Sequence, residues 1–154
     1  MKTATKIILS GVVGTTFMTL YSYLASRREK QQYVEPVLLN KLISKGDFVS
    51  LQNDYSHPAG WLLHFGTGTV FMTLYRLLWR KATLKPTVLN TFTLGVLSGL
   101  AGIVIWRSLF KLHDNPPRNY RYGYYRQLLV AHIIFSMAAL PAYKALGKEK
   151  GLLF

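Results

Sequence analysis

Between Ala59 and Trp79 the chain runs for 21 residues in which only His64 and Arg76 can carry a charge. An α-helix of ~20 residues, rising about 1.5 Å per residue, crosses the hydrocarbon core of a bilayer. The stretch opens with Pro58 and Trp61 and closes with Trp79, Arg80 and Lys81. Aromatic and cationic side chains of this kind anchor a span at its two interfaces. Three more apolar runs flank it. Together they predict an all-α integral membrane bundle of four transmembrane helices, with a short amphipathic segment between the first two. The spans are expected over about residues 5–26, 59–79, 87–111 and 124–146, in one transmembrane domain covering 1–154.

Composition enters where a soluble alternative has to be weighed. Charged residues make up 16% of the chain, against roughly 25% in soluble domains. The net charge of +13 would suggest nucleic acid in a soluble protein. Here the Lys and Arg residues cluster between apolar runs, where the anionic headgroups of the bilayer are the natural counter-charge. The expected partners are therefore lipid, and a second copy or another membrane protein, and not nucleic acid. There is no cysteine, which excludes disulfides, thiolate nucleophiles and Cys-ligated metals.

Taken in order, Lys2 and Lys6 precede a first apolar run that has Tyr23 and Ala25 before Ser26. The bulky Tyr23 is a poor fit to a signal-peptide cleavage site, so an uncleaved helix is expected. In PVLLNKLISKGDF, Val37, Leu38, Leu42 and Ile43 oppose Lys41 and Lys45. That pattern predicts a surface helix from behind Pro36 to Gly46, or a loop packed on the bundle. GTTFMTLY at Gly14–Tyr21 returns as GTVFMTLY at Gly68–Tyr75, as in a duplicated element or two helices packed through the same face. After a tight turn through RKATLKP, the third span carries Gly95 and Gly99 as a helix-packing pair, with Ser98 and Gly102 as a second small pair. It is expected to sit in the centre. Pro116 and Pro117 stop it. RNYRYGYYRQ reads as an aromatic belt before the fourth span, in which Pro141 is a candidate kink.

The polar residues inside the spans are the candidates for function, because each costs free energy there. His64, Arg107 and His132 come from three spans to a comparable depth in one leaflet and are expected to form a cluster. His57, Tyr75 and Tyr143 are secondary candidates: eleven residues separate His64 from Tyr75 and His132 from Tyr143, close to three helical turns, so each pair shares a face. The cluster could pack helices, conduct protons or ions, or hold a haem through two His ligands. No GxSxG, HExxH or carboxylate pair is present, so no enzyme, metal or cofactor is expected.

HIIFSMAALPAY in the fourth span, the Pro-Pro and Tyr-rich approach to it, and HFGTGTVFMTLY in the second resemble the YagU-like bacterial inner-membrane proteins. The resemblance covers about half of the chain. It implies a multi-span inner-membrane protein with a structural or interaction role, linked to the envelope or to acid stress, and supplies no catalytic residues. A small proton or ion transporter or channel using the His64–Arg107–His132 cluster and a membrane haem protein are the alternatives. Basic residues lie more densely near the helix ends on the terminal side, from Lys2 and Lys6 to Arg80, Lys85 and Lys144, which predicts cytoplasmic termini.

Overall fold

A computed structural model describes residues 1–45, 56–80, 85 and 87–147. Among these the chain forms five helices: α1 (Thr3–Glu29), α2 (Glu35–Lys45), α3 (Pro58–Arg80), α4 (Val88–Leu112) and α5 (Arg121–Ala145). The expected stop of α2 at Gly46, most of the RKATLKP turn and the KEKGLLF tail lie outside the described residues.

Local chemistry sets the helix ends. Thr87 caps α4 by accepting the Asn90 N–H at 3.3 Å, and α4 ends four residues before Pro116. At the end of α1, Lys30 takes a left-handed conformation (φ 53°) and turns the chain towards α2. The Ser26 hydroxyl accepts the Tyr33 N–H at 2.9 Å across that turn. Asn40 of α2 then caps α3: its side chain accepts the Gly60 N–H at 2.7 Å and donates to the His57 carbonyl at 2.8 Å. A Cβ on Gly60 would collide with the Pro36 carbonyl and with Asn40. Opposite, His113 Nε2 donates to the Leu42 carbonyl at 2.8 Å. The short helix is thus pinned to α3 and to the end of α4. Pro36, Val37 and Leu38 are all buried, so α2 is a lid packed on one end of the bundle.

α5 lies between α1 and α4, and α1 also packs on α3. The inner positions therefore belong to α1 and α5, and not to α4, the third long helix, as expected. The cause is visible in which residues are covered. On α4 the buried positions form one stripe, through Thr91, Gly95, Ser98, Gly102 and Trp106. On α5 the buried positions include neighbours such as Leu128, Ala131 and His132, then Phe135 and Ser136, so two faces are covered.

Glycine sets the closest approaches. A Cβ on Gly95 would collide with Ser136 Oγ, and one on Gly99 would lie 2.8 Å from Leu129 Cδ1 and 3.1 Å from Leu129 Cα. Between α1 and α3, Gly11 faces Thr69 and Gly68 faces Thr15. The repeated octapeptides meet here: Met18 and Met72 hold corresponding positions and both are buried. Between α3 and α4 the backbones stand farther apart, and Tyr75 reaches across to Ser98.

Three helices, α1, α4 and α5, are long and apolar enough to cross a membrane. The expectation of four is not met in full. α3 has the length, 23 residues, but its glycines and threonines, together with His64 and Arg76, lower its hydropathy. The outer surface of the bundle is apolar along all four long helices. Phe17 and Leu24, Leu62 and Leu74, Leu89 and Val104, and Met137 are exposed. Each Leu or Phe left in water forgoes about 1.5–3 kcal/mol; lipid removes that cost. Hydroxyls on these helices return to their own helix, as Thr16 does to the Val12 carbonyl (2.8 Å) and Thr93 to that of Leu89 (3.0 Å). A medium without hydrogen-bonding partners requires this.

Candidate functional site

Below the lid lies a cavity of about 70 Å³ to which all five helices contribute. Thr15 and Met18 come from α1, Glu35 from α2, His64 and Phe71 from α3, Gly102 and Trp106 from α4, and His132 and Phe135 from α5. Their level can be read along α1. Ser22 meets Glu35, and Thr19 meets His64 one turn deeper.

His64 Nε2 lies 2.9 Å from Thr19 Oγ1, and the Thr19 hydroxyl donates to the Thr15 carbonyl at 2.7 Å. With that proton committed, His64 is the donor through Nε2–H, and Nδ1 is its acceptor. His132 is oriented the other way. Its Nδ1 lies 2.9 Å from the Leu128 carbonyl, which can only accept, so Nδ1 carries the proton and Nε2 is the free acceptor. The ring rests on Gly102, where a Cβ would come within 2.9 Å of Cε1 and 3.1 Å of Nε2, and its edge packs on Phe71.

Glu35 is the residue the sequence reading missed. It is 1% exposed, and its Oε1 accepts from the Ser22 hydroxyl at 2.8 Å and from Gln127 Nε2 at 3.2 Å. Among the described residues Oε2 has no hydrogen-bond partner, and neither has Thr15 Oγ1. Burial pushes the carboxyl up from the ordinary carboxylate range to about 7, and the hydrogen bonds from Ser22 and Gln127 offset only part of that. Glu35 therefore changes charge near neutral pH. A signal was present in YVEPVLL, where one acid stands alone in an apolar run. It stands ahead of Pro36, outside the apolar face that begins at Val37.

Arg107 is not part of this site. It is exposed, while its neighbour Trp106 lines the cavity. One residue is about 100° of helix, enough to turn Arg107 away from the stripe that Gly102 and Trp106 share. The expected His64–Arg107–His132 cluster is corrected to Glu35, His64 and His132. His57 lies outside it, at the start of α3, where its Nδ1 accepts the Ala59 N–H at 3.2 Å. Tyr75 and Tyr143 are buried towards the terminal end. The Tyr75 hydroxyl shares a hydrogen bond with Ser98 at 2.7 Å, and Tyr143 packs on Trp79 with centroids 5.9 Å apart.

The two ends of the cavity differ. Towards the lid, Gln127 bridges Glu35 to the Tyr33 carbonyl. The Tyr33 hydroxyl donates to Glu29 at 2.7 Å, and Glu29 pairs with Arg126 at 2.8 Å at the surface. Towards the termini, the rings of Phe71, Phe135 and Tyr75 form a layer with centroids 6.0–6.5 Å apart. Among the described residues no three His, Asp or Glu side chains are placed to hold a metal ion. At about 70 Å³ the cavity is well below the ~300 Å³ of the smaller cofactor pockets. No protein-family model, characterised protein or solved structure matches the chain.

Proposed function

We propose that this chain is a multi-span helical protein of a bacterial inner membrane that binds and releases a proton at Glu35, as the internal site of a small proton transporter. The observation that carries the reading is the shared cavity of Glu35, His64 and His132, with one carboxyl oxygen and two imidazole nitrogens left as acceptors. Intramembrane ionisable groups that face an interior cavity mark proton and ion paths. Gln127 and the Tyr33 carbonyl extend the polar groups of the site towards the lid, and the aromatic layer closes the terminal side. Passage to the terminal side then requires that layer to open, as alternating access does.

In this reading α3 crosses the membrane too. His64 and Gly68 face inward and Leu62, Leu63, Leu74, Leu77 and Leu78 outward, so the imidazole is covered by protein while an apolar face is left to lipid. Cytoplasmic termini follow from the basic residues near the helix ends. The competing reading is a structural or interaction protein: the glycine contacts on α4 and the internally satisfied hydroxyls are what such a role needs. The unpartnered Oε2 favours the transporter, because a group used only for packing gains by being satisfied. The link to acid stress implied by the YagU-like resemblance suits either.

Proton flux into liposomes holding the purified protein, measured at pH 5.5 and 7.5, tests the proposal. A pH-dependent flux that Glu35→Gln abolishes and Arg107→Gln leaves intact is expected. Absence of flux in the unmodified protein at both pH values leaves only the structural reading.

A further inference from the structure

A second concavity, about 490 Å³, opens on the outer flank of the bundle between α1, α2 and α3, within the ~300–1,000 Å³ of ligand pockets. Its floor runs along α1 through Thr16, Leu20 and Tyr23, and Val37 and Phe65 form its sides. The hydroxyls in its walls are already engaged. Thr16 donates to the Val12 carbonyl, Thr19 to that of Thr15, and Ser26 to that of Ser22. Gln32 accepts the Val34 N–H at 3.0 Å. The groove thus offers an occupant apolar surface and asks for no hydrogen bonds along its length.

Its mouth is different. Arg27 lies there with its guanidinium 5.1 Å from the centroid of the Tyr23 ring and makes no ion pair with a carboxylate among the described residues. From Arg27 to Thr16 is eleven residues of helix, about 16 Å at 1.5 Å each. One leaflet of hydrocarbon is about 15 Å, half of the ~30 Å core. A cation at the headgroup level therefore stands over an apolar channel one leaflet deep.

We propose that this groove binds one acyl chain of an anionic phospholipid, with the phosphate on Arg27. Arg matches phosphate geometry through its fork of N–H donors, and the length of the channel matches an acyl chain rather than a free anion. The site is distinct from the cavity but shares a wall with it. Thr19 lines the groove and also holds His64 Nε2, so a chain seated there touches the residue that orients the imidazole.

The full chain in neutral detergent is titrated with phosphatidylglycerol, with phosphatidylcholine of the same chains and with sodium phosphate, and bound lipid is counted by native mass spectrometry. One phosphatidylglycerol is expected to bind at least tenfold more tightly than phosphatidylcholine. Arg27→Gln, at an exposed position, should bring the two lipids to equal affinity. Leu20→Trp should fill the channel and weaken both, with circular dichroism confirming the fold of each variant. Equal binding of the two lipids by the unmodified protein, or a preference that survives Arg27→Gln, overturns the proposal. So does inorganic phosphate displacing the lipid completely at millimolar concentration, which would indicate an anion site without a chain.

Discussion

His64 Nε2 and Thr19 Oγ1 stand 2.9 Å apart and join α3 to α1 in the bundle interior. Because Thr19 spends its proton on the Thr15 carbonyl, this contact selects the tautomer of His64 and leaves Nδ1 as the free nitrogen. Thr19→Val keeps the shape and removes the acceptor. A loss of about 1 kcal/mol in detergent is expected, the cost of leaving a buried donor unpaired. Thr16→Val, one residue group further out and bonded only to its own helix, should change stability by less than about 0.5 kcal/mol. Equal losses in chemical denaturation would mean that the interhelical bond contributes nothing.

The glycine spacing on α4 yields a second expectation. Gly99 faces Leu129 at less than normal contact distance for an added Cβ, whereas Val104 is 64% exposed. Gly99→Leu should cost about 1–3 kcal/mol or more through overpacking and lower the Tm in detergent. Val104→Leu should leave the Tm unchanged. Similar melting curves for the two would place α4 elsewhere.

Reporter fusions after Lys45 and after Gly147 decide whether α3 crosses. Four spans place the two reporters on opposite sides of the membrane. Three spans, through α1, α4 and α5 alone, place them on the same side. The account predicts opposite sides.

Stability should depend on pH through Glu35. Its carboxyl titrates near 7 in the folded chain against an ordinary 4.5, so between those values the folded state holds the proton more firmly than the unfolded state does. The stabilisation is complete below about 4.5 and is lost as pH rises through about 7, with a total of order 3 kcal/mol. Glu35→Gln should flatten that dependence. A curve for the variant that still falls over the same range would assign the effect to another group.

The helices were legible because a bilayer demands long apolar runs, and those runs are continuous in the sequence. Gly95 and Gly99 were legible as close-packing positions because only spacing is needed to see them. The order of packing was not, since burial of two faces of α5 depends on which helices flank it. Arg107 shows a related limit: depth can be counted from the helix end, but an uncertainty of one residue in facing is about 100°. Glu35 was hidden for another reason. It belongs to a short helix outside the spans, and only the turn at Lys30, with Ser26 holding Tyr33, swings that helix over the bundle and brings the carboxyl down to Ser22. His64 and His132 were visible as costly residues; the acid that completes their site was not.

The central claim is that Glu35 exchanges a proton near neutral pH inside the bundle, and the infrared carbonyl band of the protonated carboxylic acid reports this directly. Difference spectra of the protein in lipid are recorded from pH 4 to 9, with Glu35→Gln as the control. The account predicts a band that disappears with a midpoint of about 7 and is missing in Glu35→Gln. A carboxyl that is already ionised at pH 5.5, with no band specific to Glu35 above it, would contradict the account.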